Sequence, residues 1–253
     1  MRAKLTETPT GGVDTSAPQD ISGQDATGFD VYRRLRTDIV DCRFKPDQRL
    51  RFETLRDTYG ASVGTLREAL SHLVSDGLVR TEAGRGFRVA PVSVADLMDI
   101  TEWRVEFEVR AATLSIENGN DAWEAEIVTA FHLLSLAPFP AIDASHEVWA
   151  EYGRRHKRFH DAIAAACGSP WLLHFRSVLF DQARRYQAMS IKHLDARALR
   201  KEDDHRAIMK AALDRNAERA AQLVEQHVRR TTQAVLKDLA STPAQARARA
   251  KTD

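Results

Sequence analysis

Apolar residues recur along this chain at two different periods, and the change from one to the other divides it in two. Phe29, Val31, Tyr32, Leu35, Ile39 and Val40 fall at helical spacing and predict a first helix over 30–42, which stops before Lys45-Pro46-Asp47. Two short helices are predicted next, over 52–59 and 63–76, with Gly60 turning the chain between them and Ser62 as a natural N-cap of the second. On that second helix Leu66, Ala69, Leu70 and Leu73 form one stripe to bury, and Gly77 ends it. The run LVRTEAGRGFRVAPV then switches to strand-type segments, 78–81 and 87–89, around a Gly-containing tip, which is a β-hairpin.

From Ser93 onward the strand signals stop. Long amphipathic helices are predicted over 94–118, 121–136, 145–167, 170–194, 201–213 and 216–239, punctuated by Gly119-Asn120, Pro138 to Pro140, Gly168 to Pro170 and Asp214 to Asn216. The expected fold is mainly α: a helix-rich unit with a small β-hairpin over 28–92, then an antiparallel all-α bundle over 93–240. Residues 1–27, rich in Thr, Ser, Gly, Pro and Asp, read as a disordered tail, and 241–253 as a frayed basic one.

Composition narrows the function classes. With 37 basic and 36 acidic residues in 253, the net charge is +1, so any contact with nucleic acid must come from a local arrangement of charge. Cys42 and Cys167 are far apart and form no CxxC pair, which argues for a reducing compartment and against a thiolate zinc site. No apolar run approaches the roughly 20 residues that cross a bilayer. A soluble, cytoplasmic protein is expected.

Helix, helix, Gly-containing turn, helix and hairpin is the layout of a winged helix-turn-helix, whose recognition helix, here 63–76, enters the major groove. Ser62, Val63, Gly64, Thr65 and Arg67 then face base edges or phosphates, and Arg67 can contact a guanine with two hydrogen bonds. Over 28–92 there are twelve Arg or Lys against nine Asp or Glu, a small excess. Placement says more: Arg49, Arg51, Arg67, Arg80, Arg85 and Arg88 all lie near the recognition helix or the wing. The competing reading is a small protein-interaction domain.

The run LRFETLRDTYGASVGTLREALSHLVSDGLVRTEAGRGFRVAPVS carries a G-x-S-x-x-x-L-R-E-A-L core, a D-G-L-V turn and a G-R-G-F-x-V wing. It closely resembles the DNA-binding domain of GntR-family transcription regulators. The resemblance implies a dimer on a short palindromic operator, with the wing tip at Arg85-Gly86 near the minor groove. One departure stands out, since the family usually has Arg directly after the Ser or Thr of the turn. Here Val63 stands there, followed by Gly64, and Val63 can touch a thymine methyl instead.

In the second unit His156 and His160 are four residues apart and so share a helix face. The stretch from VADLMDITEWRVEFEVRAATLS onward is similar to the all-helical ligand-binding domain (FCD domain) of the FadR-type branch of that family, whose R-x-x-x-E falls on Arg104 and Glu108. Many members of that branch hold a buried metal with a D-x-x-x-H pair and two later histidines. The matching positions are His156, His160, His205 and His227, so His156 stands where Asp is usual.

Spacing supports the match. His205 and His227 flank the break at 214–216 by about ten to twelve residues, which at about 1.5 Å rise per residue sets them at similar heights in an antiparallel hairpin. Imidazole donors point to a divalent transition metal, zinc first, with nickel or iron as alternatives. Replacing Asp by His removes a negative charge, which favours an anionic ligand at an open position, and Asp203 or Asp204 can orient an imidazole. A metal-free anion pocket is the competing reading.

Arg104 suits a ligand carboxylate, unless it pairs with Glu108 or Glu102 on its own helix, and one of Arg184 or Arg185 assists with Tyr186. The expected function is a homodimeric DNA-binding regulator, a repressor in the usual mode, whose helical domain senses a small organic acid. From another class, a His-ligated metalloenzyme competes. It lacks H-E-x-x-H, because Lys157 follows His156, and it leaves the winged unit without a purpose. A regulator with a degenerate sensor domain is the third reading.

Overall fold

The structure, a computed structural model, describes residues 27–137, 140–141, 144–190 and 202–241. The expected tails, 1–27 and 241–253, lie almost wholly outside them, as do 191–194 of the predicted helix 170–194.

Helix α1 (Gly28–Val40) starts where the Thr27 hydroxyl accepts the Asp30 amide at 3.2 Å, and it buries Val31, Leu35, Ile39 and Val40. Strand β1 (Arg49–Leu50) follows, then α2 (Phe52–Tyr59) and α3 (Val63–Ser75). Between the helices Gly60 takes the left-handed conformation, φ 62°, which closes α2 at little cost only without a Cβ. The Ser62 hydroxyl then caps α3 by accepting the Thr65 amide at 3.2 Å. The stripe Leu66, Ala69, Leu70 and Leu73 is fully buried against α1.

Strands β2 (Val79–Glu82) and β3 (Gly86–Val89) form the hairpin, with Val79 opposite Val89 and Thr81 opposite Phe87. β1 adds to the far side of β3, pairing Leu50 with Phe87, so the sheet order is β1-β3-β2. This strand was not expected. Two residues carry no alternation to read, and only their pairing with β3 makes them a strand.

The bundle consists of α4 (Val94–Asn118), α5 (Asp121–Ser135), α6 (His146–Ala164), α7 (Pro170–Ser190), α8 (Glu202–Leu213) and α9 (Ala217–Ser241). Ser93 and Asn120 cap α4 and α5 through their side chains. α4 runs between α7 and α9, and α5 packs on α6 and α8. One apolar cluster joins Ile116, Trp123, Ile127, Phe131, Phe159, Ile163, Ile208 and Val224, with the Trp123 indole donating to the Ala162 carbonyl at 2.9 Å. The turn between α8 and α9 is closed by Arg215 in the left-handed region, φ 55°, its guanidinium donating to the carbonyls of Ile116 and Gly119 at 2.8 and 2.9 Å. Among the described residues no helix is long and apolar enough to cross a membrane.

Candidate DNA interface and metal centre

The exposed end of α3 and the wing carry the candidate DNA contacts. Arg49, Arg51, Ser62, Val63, Arg67, Arg85 and Gly86 are exposed, and Thr65 is half-buried. The hydroxyls of Ser62 and Thr65 lie 2.9 Å apart, so both are engaged in the helix cap. The Arg67 guanidinium lies 5.5 Å from the centre of the Phe52 ring, which leaves its planar fork directed by an aromatic support. Six arginines near this face divide into two groups. Arg80 pairs with Asp47 at 2.6 Å and Arg88 with Glu82 at 2.8 Å, whereas Arg49, Arg51, Arg67 and Arg85 have no carboxylate within 4.0 Å among the described residues.

In the bundle four imidazoles converge from three helices. His156 and His160 come from α6, His205 from α8 and His227 from α9, and one nitrogen from each lies within 4.8 Å of all the others. His156 Nε2 is 3.3 Å from His160 Nε2 and 3.1 Å from His205 Nε2. A tetrahedral ion with Zn–N bonds of about 2.0–2.1 Å has N···N edges of about 3.3–3.4 Å. The donor set therefore fits a transition metal that prefers nitrogen, with no carboxylate in the group.

Burial sets the protonation. His160, His205 and His227 are buried and His156 half-buried. Burial, reinforced by the neighbouring imidazoles and by Arg104, holds His156 and His160 well below the ordinary histidine pKa. Burial also lowers His227, against the opposing pull of Asp204, whose carboxylate lies 3.7 Å from His227 Nδ1. Neutral imidazole is the form that ligates. Asp204 thus faces the outer nitrogen of one imidazole; the side chain of Asp203 lies outside the described residues.

A cavity of about 800 Å³ opens beside this cluster, and His156, His205 and His227 form part of its wall together with Trp149, Tyr152 and Arg184. Part of its wall lies outside the bundle. Asp41, Cys42, Arg43, Lys45 and Pro46, all from the segment that follows α1, close it.

The other predicted effector residues take different places. Arg184 faces the cavity, where its Nε and Nη2 donate to Asp41 Oδ1 at 2.9 and 2.6 Å. Arg185 turns towards the DNA-binding unit instead, and Tyr186 towards the start of α4. Arg185 donates to the Ala90 carbonyl at 2.5 Å and to Gln182 at 2.9 Å, and the Tyr186 hydroxyl accepts the Ser93 amide at 3.1 Å and donates to Asp96. Successive helical positions point about 100° apart, so the three neighbours cannot share one wall. Arg104 is buried with its guanidinium 4.6 Å from the Phe180 ring centre and its Nε 3.6 Å from Glu108 Oε1, and it is absent from the cavity wall as described. Glu102 pairs with Arg229.

Sequence reasoning did not single out Asp41, Phe180 or Arg176. Arg176, almost fully buried, donates to Glu108 at 2.7 Å and to Asp161 at 2.7 Å. None belongs to a motif, and only tertiary packing makes them neighbours of the histidines and of Arg104.

Two protein-family models match the chain: "Bacterial regulatory proteins, gntR family" over residues 28–89, and the FCD domain over residues 99–230. The HTH-type transcriptional repressor GlaR of Escherichia coli K12 is 41% identical over 205 residues, covering 80% of this chain and 92% of that protein. The HTH-type transcriptional regulator BphR of Paraburkholderia xenovorans LB400 is 37% identical over 198 residues, covering 78% of this chain and 80% of that protein. Among solved structures E. coli McbR/YncC shares the fold with a TM-score of 0.72 at 20% identity, covering 84% of this chain and 98% of its own.

Proposed function

The chain belongs to the GntR family of bacterial transcription regulators, with an FCD domain as its second half, and from that premise we propose that it is a homodimeric repressor released by a small carboxylate. A metalloenzyme is set aside, because the family and the similar proteins are transcription regulators. The observation that carries the reading is the convergence of four imidazoles, three of which, His156, His205 and His227, line a cavity that also presents Arg184. His156, His160, His205 and His227 would hold a divalent metal, zinc first, and a zinc so held would, by expanding from four ligands to five, supply a Lewis-acidic position for one carboxylate oxygen. Arg184 supplies the charge that orients the rest of the anion.

Repression is the mode named for the similar protein GlaR, and it is carried to this chain as part of the proposal. DNA contacts are assigned to Arg49, Arg51, Arg67 and Arg85, with Ser62, Val63, Thr65 and Gly86 against the same groove face. A two-fold operator requires two heads. An exposed aromatic ladder supports self-association: Trp103 and Phe107 of α4 continue through Phe175 to Trp171 of α7, at centroid distances of 6.1, 6.4 and 5.8 Å. Trp103 is 54% and Trp171 71% exposed, more apolar surface than a solitary protein leaves to water without a purpose. A cytoplasmic site of action goes with this reading.

The test is selection of bound sequences from random duplexes by the full-length protein, repeated with Arg67→Ala. A palindromic site is expected, with the variant losing about 1–3 kcal/mol on it. A carboxylate panel in a thermal-shift assay, with and without chelator, then checks the sensor, since a ligand of the folded state raises its apparent stability. Recovery of no preferred sequence, or stabilisation indifferent to the chelator, would contradict the DNA and the metal parts respectively.

A further inference from the structure

The DNA-binding unit rests on α7 through a row of contacts. Arg36 pairs with Asp181, the Cys42 thiol donates to the Arg185 carbonyl at 3.2 Å, Gln182 donates to the Asp76 carbonyl at 2.8 Å, and Arg185 reaches Ala90. The pair Asp41–Arg184 belongs to the same row and is the ion pair of the row that borders the cavity. Its guanidinium also lines the cavity on which the histidines open. Asp41 is 6% and Arg184 16% exposed, so this is a largely buried pair joining the two halves of the molecule.

Arg184 is held in place from behind. Gly153 of α6 lies so close that a Cβ there would be 1.6 Å from Arg184 Nη2 and 1.8 Å from Nη1. The guanidinium therefore lies flat on bare helix backbone, with Asp41 on one edge and the cavity beside it. An anion entering the cavity meets a cation already committed to a carboxylate of the DNA-binding unit. Desolvated charges of one sign disfavour sharing one guanidinium, so the two acids compete.

We propose that Asp41 is a built-in competitor for the effector: a carboxylate bound in the cavity takes Arg184 from Asp41 and so removes the ion pair that seats the DNA-binding unit on α7. Effector binding and the seating of the head are then one linked equilibrium, and each weakens the other by the same factor. The effector site is correspondingly shared between domains, its outer wall being the 41–46 segment that follows α1. This deepens the reading of the cavity as a carboxylate site and rests on it.

The test uses full-length protein loaded with Co²⁺, titrated with acetate as the minimal carboxylate and followed by its visible absorption. Wild type is compared with Asp41→Asn, Arg184→Gln and the double variant; the first keeps the shape of the Asp41 side chain and removes its charge. The expected result is acetate binding tightened about fivefold or more by Asp41→Asn, the lower range of ordinary coupling between sites. Arg184→Gln weakens acetate, and in that background Asp41→Asn has no further effect. Acetate should also speed amide hydrogen exchange across residues 41–46 in wild type but not in Asp41→Asn.

Three outcomes overturn the proposal, in distinguishable ways. If Arg184→Gln weakens acetate while Asp41→Asn leaves it unchanged, Arg184 holds the anion without releasing Asp41, and the carboxylate reading stands alone. If Asp41→Asn tightens acetate equally in the Arg184→Gln background, the effect is bulk charge and no competition exists. If acetate leaves the spectrum of every variant unchanged, the carboxylate site itself is wrong.

Discussion

Replacing Gly153 by alanine should destabilise this protein, although the same change in most helix interiors stabilises. A methyl at Gly153 would fall 1.6, 1.8 and 1.9 Å from Nη2, Nη1 and Cζ of Arg184, far inside contact distance. The guanidinium ends a flexible chain and will move before the helix does. What it leaves is two charge-assisted hydrogen bonds to Asp41, at 2.9 and 2.6 Å, each contributing about 1.5–3 kcal/mol, and an acid with little access to water. Part is regained when the displaced guanidinium is hydrated in the cavity, and alanine in place of glycine returns about 0.5–1 kcal/mol. The net is a loss of about 1–2 kcal/mol.

The sign reverses once the obstacle is removed. An Arg184→Ala background removes the three atoms nearest to that methyl, and Gly153→Ala should there stabilise by about 0.5–1 kcal/mol. Urea unfolding of the four proteins at constant denaturant slope measures the cycle, with an expected coupling of about 2 kcal/mol. Equal stabilisation in both backgrounds would refute the reasoning, because it would mean that no guanidinium rests on Gly153.

Two further predictions concern the dimer face and the tyrosines. On the proposed homodimer, Trp103→Glu places a charge in the exposed aromatic ladder and should yield a monomer by sedimentation where wild type is expected to sediment as a dimer; a persistent dimer would move the interface elsewhere. Burial raises the pKa of all four tyrosines, Tyr32 and Tyr152 to about 12, with hydrogen bonds to Asp76 and Asp38 adding to the rise at Tyr32 and Tyr59. Because the folded values lie above the unfolded value of about 10, the stability they contribute is complete below pH 10 and lost as pH rises towards 12. Spectrophotometric titration should show phenolate appearing later in native than in urea-unfolded protein; coincident curves would contradict the burial.

Much of this architecture is written in local patterns. The stripe Leu66, Ala69, Leu70, Leu73 and the caps Ser62, Ser93 and Asn120 are short-range signals, and the helices that they predict form where expected. The resemblance to the FCD domain grouped the four histidines, helix spacing supported each pair, and the structure brings one nitrogen from each within 4.8 Å of the others. The two-residue strand β1 had no such signal, since its order comes from β3. Nor did the consecutive Arg184, Arg185 and Tyr186 reveal which of them faces the cavity, because the rotation of α7 about its axis is decided by what packs on it. The wall contributed by residues 41–46 was equally hidden, as it depends on how one domain docks on the other.

The claim on which the sensor rests is that His156, His160, His205 and His227 hold one transition metal. Metal content of the purified full-length chain, before and after incubation with zinc and dialysis, tests it most directly. About one ion per chain in wild type, lost in His160→Ala and His205→Ala with helical content retained, is the predicted result. A folded wild-type protein that emerges with no bound zinc would contradict it.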